Sequence, residues 1–456
     1  MNTICEITDI DVYLLYFIDL KTIFNLRLLS KDQCNVLQEQ QFIKDILKVE
    51  NKKISTIIHY AVAYGSMAII LWLHESINEI KYVNAIISCA AAGGHVTILN
   101  WFNQSKYNFE YSAETIDYAS SCGQISVLDW FKNSKHEFKY TSDAIDNAAK
   151  NGNIAILEWF KNSQHEFKYT SDAIDNAAKN GHIAILEWFK NSDYEFKYSY
   201  NAIDLASQYG QIIILEWFKK SDYEFKYSYN AIELASKNGH IIILEWFKKS
   251  DYELKYSCNA IDLASENGHI EILNWFRDSA YKFKYSNRAI DLASKNGHIS
   301  ILEWFKESNY KFKYSCDSID LASKNGHVSI LEWFAYSVYK FKYTTDAMDW
   351  AACNGHINIL EWFRNSAYLL KFTFRAIDWA SENGHISVLE WYHKYIYKFK
   401  YTYKAIDTAV MGNHTKILDW FKKSGYKIKY SNDALSWGNL NGIDLEWLKK
   451  YAITNI

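Results

Sequence analysis

Glycine recurs at a fixed interval of 29 residues along most of this chain. The recurring glycines are Gly65, Gly94, Gly123, Gly152, Gly181, Gly210, Gly239, Gly268, Gly297, Gly326, Gly355 and Gly384. Asn413 and Gly442 continue the register, and a tryptophan follows seven residues after each position from Trp72 to Trp420. A fixed interval of this size predicts a solenoid in which each repeat packs only on its neighbours, with fourteen copies over residues 51–456.

The first half of one repeat, residues 257–285, carries the start and stop signals of a helix. Ser257 or Asn259 is placed to cap this helix, with Asp262 as the acid of a capping box. The Asn-Gly pair that ends at Gly268 is typical of a helix end where glycine takes the left-handed conformation. Asparagine is the next-best residue for that conformation, so we expect Asn413 to adopt it as well.

The second half of the repeat predicts another helix and an extended connector. Ile270, Ile272 and Leu273 begin a segment that is apolar on more than one side, so we expect its helix to be buried as an inner layer. Residues 281–285 alternate aromatic rings with lysines, which predicts an extended stretch with rings inward and charges outward.

The repeat resembles the ankyrin repeat. Residues 263–273, Leu-Ala-Ser-Glu-Asn-Gly-His-Ile-Glu-Ile-Leu, are similar to the core of that family, and the resemblance covers most of the chain. It implies a helix-turn-helix array that binds other proteins. The interval of 29 residues is shorter than the family's period of about 33. The resemblance therefore implies that the family's β-hairpin fingers are cut down to the connector.

A histidine follows most of the recurring glycines. These histidines are His95, His182, His240, His269, His298, His327, His356, His385 and His414. Helices in adjacent repeats are about 10 Å apart, whereas zinc ligands must all lie about 2 Å from one ion. We therefore expect structural hydrogen bonds from this column, a tryptophan column that fills the core, and no metal or cofactor.

Residues 1–50 do not repeat. Residues 26–31, Leu-Arg-Leu-Leu-Ser-Lys, make this segment resemble an F-box, although the family's opening Leu-Pro is absent. The resemblance implies contacts with a ubiquitin-ligase subunit through Val12, Leu15, Ile18, Leu26 and Leu29. The alternative is a helical cap over the first repeat, which solenoids require. The combined architecture is similar to ankyrin/F-box proteins of large DNA viruses, which implies a viral, host-directed protein.

Composition excludes several other classes of protein. The net charge is −3, which argues against nucleic acid as a partner. The seven cysteines include no C-x-x-C pair, so we expect free thiols and a reducing compartment. Neither a signal peptide nor a membrane-length apolar run is evident, so we expect a cytoplasmic protein, in host cytoplasm if it is viral. The sequence contains no P-loop, H-E-x-x-H or G-x-S-x-G motif, so we expect no enzyme and no catalytic residue.

One column of the connectors changes its charge along the chain. It carries glutamate from Glu137 to Glu253 and then lysine at Lys282, Lys311 and Lys340. A partner selected by electrostatic complementarity explains the change, and so does recent duplication of the glutamate repeats. A second lysine column, from Lys139 to Lys429, stays basic throughout and leaves nucleic acid as an alternative through spaced cations.

Aromatic and basic residues accumulate around the starts of the first helices, mainly over residues 345–404. These candidates for partner binding are Tyr200, Tyr229, Arg288, Trp350, Phe374, Arg375, Trp379, Tyr403 and Lys404. If they face the surface, they form a hot spot of the kind that dominates protein interfaces. The alternative is that the tryptophans only fill gaps in the core.

The sequence therefore predicts an all-α repeat solenoid with two parts, a helical segment of residues 1–50 and an ankyrin-like array of residues 51–456. We expect a non-catalytic scaffold for protein–protein interaction, which presents a target protein to a ubiquitin ligase. The alternative is a scaffold without any link to ubiquitination. The sequence does not identify the partner, since repeat surfaces of this kind carry no general code.

Overall fold

The computed structural model describes residues 83–396 and 399–443, together with residues 62, 63, 65–67, 70, 71, 74, 447 and 448. In these residues the chain forms 25 α-helices and no β-strand. This confirms the all-α repeat fold. The chain divides into two compact units, residues 1–202 and residues 203–456.

Helices alternate between a first and a second helix of each repeat. In the first unit they are α1 (Val83–Ala92), α2 (Val96–Gln104), α3 (Glu114–Ser121), α4 (Ile125–Asn133), α5 (Asp143–Lys150), α6 (Ile154–Asn162), α7 (Asp172–Lys179) and α8 (Ile183–Lys190). The boundary between the units falls within α9 (Asn201–Gln208).

The second unit continues the alternation. Its helices are α10 (Ile212–Lys220), α11 (Asn230–Lys237), α12 (Ile241–Lys249), α13 (Asn259–Glu266), α14 (Ile270–Asp278), α15 (Arg288–Lys295), α16 (Ile299–Glu307), α17 (Asp317–Lys324), α18 (Val328–Tyr336), α19 (Asp346–Cys353), α20 (Ile357–Asn365), α21 (Arg375–Glu382), α22 (Ile386–Tyr395), α23 (Lys404–Met411), α24 (Thr415–Ser424) and α25 (Asn432–Asn441).

Within each unit the first helices form the closely packed layer. Each first helix packs most extensively on the first helices before and after it, and less on the second helix of its own repeat. Neighbouring second helices touch only lightly. The small buried Ala264 allows this close approach, while Leu273 and Phe276 of α14 are buried on one side. The second helices are therefore not the inner layer that the sequence suggested.

The recurring position favours glycine for two reasons, a positive φ angle and a close contact from the next repeat. Gly355 has a φ of 74°, and Asn413, which replaces glycine in the register, has a φ of 55°. A Cβ atom on Gly355 would lie only 2.8 Å from Nδ1 of His385 in the next repeat. That histidine bonds back to the backbone of Cys353. The histidine column thus has the expected structural role, but its hydrogen bonds join two repeats.

A buried acid links most of the described first helices to the next repeat. In the second unit, Asp262 accepts hydrogen bonds from the Ser286 N–H at 2.9 Å and the Ser286 hydroxyl at 2.5 Å. The same hydroxyl accepts the N–H of Arg288 at 3.1 Å and so caps the next first helix. We call this contact the carboxylate link. The capping-box prediction for Asp262 was wrong, because its partner lies 24 residues later.

The carboxylate link recurs in both units. The linked pairs include Asp117–Thr141, Asp146–Thr170, Asp175–Ser199, Asp204–Ser228, Asp291–Ser315, Asp320–Thr344, Asp349–Thr373, Asp378–Thr402 and Asp407–Ser431. Burial raises the pKa of Asp320 to about 6 despite its hydrogen bonds. Burial also raises the pKa of Asp117, Asp146, Asp175, Asp204, Asp349, Asp378 and Asp407.

The tryptophan column also joins repeats. Trp246 is 7% exposed, and its indole N–H donates to the Glu216 carboxylate, 30 residues earlier, at 2.6 Å. Trp333 makes the equivalent bond to Glu303. Trp246 is thus a core residue with one polar contact, whereas Trp333 is half-buried, so the tryptophan column fills the core only in part.

We expect Gly355→Ala to destabilise the protein more than Gly425→Ala. Both glycines have φ near 75°, but nothing lies within 4 Å of a Cβ on Gly425. Gly425→Ala should cost about 1 kcal/mol from backbone strain alone. Gly355→Ala should cost at least about 1 kcal/mol more, because His385 must give up its contact. Urea unfolding followed by circular dichroism measures both, and equal losses would contradict the role given to His385.

Acidification should stabilise the wild type relative to Asp320→Asn. The pKa of Asp320 is about 6 in the folded chain against 3.8 in the unfolded chain. The folded state therefore binds a proton below pH 6, and stability from this group is lost as pH rises through 6. Between pH 7 and 5 the wild type should gain about 1 kcal/mol over the variant. Urea midpoints at both pH values measure this, and a relative loss for the wild type would overturn it.

Candidate functional site

The connectors of successive repeats stack on one another in register. In the second unit, the ring of Phe312 lies 3.9 Å from that of Tyr339 in the next connector, with an angle of 16° between the planes. The hydroxyl of Tyr314 donates to the backbone carbonyl of Lys340 at 2.6 Å. Most connectors of the second unit are fixed to the next by the same ring stack and hydrogen bond, so equivalent lysines of those repeats are aligned.

The lysine column that ends at Lys429 is held by the aromatic rings. Lys313 lies over the ring of Tyr285 with its Nζ 4.1 Å from the centroid, and it donates to the Tyr285 carbonyl at 3.2 Å. Lys342 makes the same two contacts with Tyr314. An ammonium group has three N–H donors, so each of these lysines still has donors for an anion.

In the early connectors the lysine is neutralised locally. Lys139 pairs with Glu137 at 3.4 Å, and Lys168 pairs with Glu166 at 3.7 Å. From residue 279 onward the sequence of each connector contains lysine and no Asp or Glu. Lys282, Lys311 and Lys340 are exposed, and none has a carboxylate partner among the described residues. The change of charge therefore exposes a basic surface, which the sequence predicted for this column.

We call this surface the lysine edge, and all of it lies in the second unit. Its residues are Lys282, Lys284, Lys311, Lys313, Lys340, Lys342, Lys371, Lys400, Lys427 and Lys429.

An apolar patch interrupts the lysine edge. Tyr336 is 90% exposed, Val338 is 93% exposed and Leu369 is 74% exposed. Sequence reasoning did not single out Tyr336 or Val338 as site residues. The sequence does show that apolar residues replace charged ones at equivalent positions of the repeat. Tyr336 occupies the position of Lys220, Lys249 and Glu307, and Leu369 interrupts the lysine column.

The aromatic candidates at the starts of the first helices are at the surface. Exposure is 53% for Tyr200 in the first unit, and 57% for Tyr229, 46% for Phe374 and 36% for Tyr403 in the second. Arg288, Arg375 and Lys404 are exposed on α15, α21 and α23, whereas Trp350 and Trp379 are half-buried.

Trp350, Arg375 and Trp379 lie on two adjacent first helices, α19 and α21, and Phe374 is the residue before α21. The guanidinium carbon of Arg375 lies 5.5 Å from the ring of Trp379, and an Arg375 nitrogen lies 3.9 Å from a carboxylate oxygen of Asp346. Trp350 has Lys324 over its ring at 5.4 Å. We call Trp350, Phe374, Arg375 and Trp379 the helix-start cluster. The lysine edge belongs to the connectors and is a separate element of the surface.

Other features of the described residues are weaker candidates for a binding site. Cys316, Asp317 and Asp320 place one ligand atom each within 4.8 Å of one another, but both Asp320 oxygens already accept bonds from Thr344. A cleft of about 190 Å³ between α10 and α12 is bordered by Ile212, Ile242 and ion-paired side chains. No helix in these parts of the chain is long and apolar enough to cross a membrane. The F-box candidates Val12, Leu15, Ile18, Leu26 and Leu29 lie outside the described residues.

Comparison with known proteins gives no family. No family model and no curated protein matches this sequence. Matching solved structures include two of the pentatricopeptide repeat protein PPR10 in complex with an 18-nucleotide psaJ RNA element, one with three cysteine-to-serine substitutions. Each is 10% identical, covers 89% of this chain and 71% of that chain, and has a TM-score of 0.27. A TM-score of this size does not define the fold, which rests on the helix pairs described above.

Two predictions are corrected by these findings. The ankyrin and F-box assignments, and the viral role attached to them, were wrong: no family model matches, and the two structures above are pentatricopeptide repeat proteins. A local motif of a few residues was too little to fix a family. The prediction against nucleic acid is corrected as well, because the net charge of −3 averages over a chain that has a strongly basic edge. The two pentatricopeptide repeat structures are themselves complexes with RNA.

Proposed function

We propose that this protein is a non-catalytic helical-repeat scaffold that binds nucleic acid along the lysine edge. The observation that carries the proposal is the run of connectors from residue 279 onward, which hold lysines and no carboxylate. Phosphates attract such a surface independently of base sequence, through release of condensed counterions. A ladder of cations with no acid between them is suited to a polyanion more than to a mixed protein surface.

Distance supports an extended ligand. Packed helices are about 9–10 Å apart, so six connectors in register place lysines over roughly 50 Å. Charges beyond about 8 Å are largely screened at physiological ionic strength. The net charge of −3 for the whole chain therefore matters less to a bound phosphate than the local lysines do.

A second candidate function is protein binding at the helix-start cluster. Exposed Phe374 beside Arg375 and Trp379 supports it, since aromatic and arginine side chains dominate protein-binding hot spots. Equivalent positions in the repeat of residues 257–285 hold Cys258, Asn259 and Leu263, which have less of this character. The link to a ubiquitin ligase is not part of this proposal.

Reversing the charge of three edge lysines should weaken nucleic-acid binding. Lys282→Glu, Lys311→Glu and Lys340→Glu together place at these positions the glutamate that earlier repeats carry, so the fold should be kept. We expect about 100-fold weaker binding of a 20-nucleotide RNA, with a salt slope lower by about 2. Fluorescence anisotropy from 50 to 200 mM salt measures both.

The matched control for this experiment is Lys220→Glu, Lys249→Glu and Lys416→Glu, which makes the same change in charge on second helices. The control should bind nearly as the wild type does. If both variants lose the same affinity for nucleic acid, the net charge of the protein explains the effect and a specific lysine edge is contradicted.

The helix-start cluster is tested by converting it to the residues of another repeat. Phe374→Cys, Arg375→Asn and Trp379→Leu reproduce Cys258, Asn259 and Leu263. We expect the variant to bind nucleic acid with unchanged affinity. The amount of any protein partner that co-purifies with the wild type should fall by more than half, as measured by affinity purification with quantitative mass spectrometry. Recovery of the same partners in the same amounts would remove protein binding at this cluster from consideration.

A further inference from the structure

The apolar patch replaces residues that are charged in earlier repeats. Columns that hold Lys220 and Asp222, or Lys249 and Asp251, in earlier repeats hold Tyr336 and Val338 here. Two residues further on, Lys340 and Lys342 continue the lysine edge, and the next connector brings Leu369 and Lys371. Apolar and basic side chains therefore alternate along two consecutive connectors of the second unit.

The patch contributes little to the fold. Tyr336 is 90% exposed, although the twelve largest fully buried side chains in the described residues are all Phe or Tyr of the repeat core. Ser337, between Tyr336 and Val338, makes the usual bond to the Phe334 carbonyl at 2.9 Å, so the local backbone follows the common repeat. The side chains of Tyr336 and Val338 thus point into solvent from an ordinary repeat, and their apolar surface has no partner in the core.

The surroundings restrict what can cover the patch. Lys311, Lys313, Lys340, Lys342 and Lys371 are close in sequence or in the adjoining connectors, and those connectors contain no Asp or Glu. An occupant must therefore bring negative charge at short intervals and a flat apolar surface between the charges. A nucleotide strand with unpaired bases has this composition, since each phosphate is followed by a base with an exposed π-face.

The apolar patch favours a single strand over a duplex, because base pairing hides the flat faces of the bases. In a duplex the flat faces of the bases are stacked on each other, and a side chain at the surface reaches only phosphates and base edges. Exposed rings beside a basic groove are the usual means of holding single strands without sequence preference. Lysines alone would accept either form.

We infer that the lysine edge binds single-stranded nucleic acid and that Tyr336 stacks on one of its bases, with Val338 and Leu369 beside it. This inference rests on the proposed function, because the lysines supply the attraction for the phosphates. Stacking on a base and pairing with phosphates do not involve the 2′-hydroxyl, so we expect RNA and DNA strands to bind with similar affinity.

The test compares oligonucleotides of one sequence and 20 nucleotides in three forms: single-stranded RNA, single-stranded DNA and blunt DNA duplex. Fluorescence anisotropy at 100 mM salt should show both single strands bound about 10-fold more tightly than the duplex. Tyr336→Ala should weaken single-strand binding about 10-fold and leave duplex binding and the salt slope unchanged. Tyr336→Trp should restore the affinity, because it keeps a flat ring.

The control is Tyr118→Ala, which removes a tyrosine that is 52% exposed on α3 in the first unit. It should bind all three forms as the wild type does. If Tyr336→Ala keeps wild-type affinity for single strands while the triple lysine variant loses it, stacking is refuted and the lysine edge stands. If the wild type binds none of the three forms, both the inference and the proposed function fail.

Discussion

The carboxylate link is the contact on which the rest of this structure depends. Asp262 accepts two hydrogen bonds from Ser286, and Ser286 in turn receives the first N–H of the next helix. One buried acid therefore joins two repeats and starts the second of them. Because the same link recurs between most of the described repeats, the first helices within each unit stack in the same way at each step. The connectors inherit that step, and their aromatic rings meet.

Much of the fold was evident from the sequence, and the misses have physical reasons. The interval of 29 residues and the Asn-Gly pair predict the helix pairs and the left-handed turn, and Asn413 takes that conformation as expected. The partner of Asp262 was assigned locally, because a capping box is the nearest partner for an acid in a first turn. Its true partner is 24 residues away and becomes visible only when the repeats are stacked. The sequence also overestimates how deeply the second helices are buried, because the covered faces of a helix are decided by how the repeats stack.

The candidate site was only partly predictable. A column that changes from Glu137 to Lys282 is a sequence signal, and the structure explains it by the loss of the neighbouring ion pair. The exposure of Tyr336 could not be read in advance, since most aromatic residues of the repeat pattern are buried or half-buried. Net charge was misleading because it averages the paired and the unpaired lysines, whereas a ligand responds to charges within about a Debye length.

Lysine footprinting tests the central claim most directly. Brief acetylation of the intact protein, with and without a saturating single-stranded RNA, followed by mass spectrometry, reports the reactivity of each lysine. The account predicts protection of Lys282, Lys311 and Lys340, with Lys220 and Lys249 unchanged. Equal reactivity of all five with and without RNA, or protection confined to Lys220 and Lys249, would contradict it.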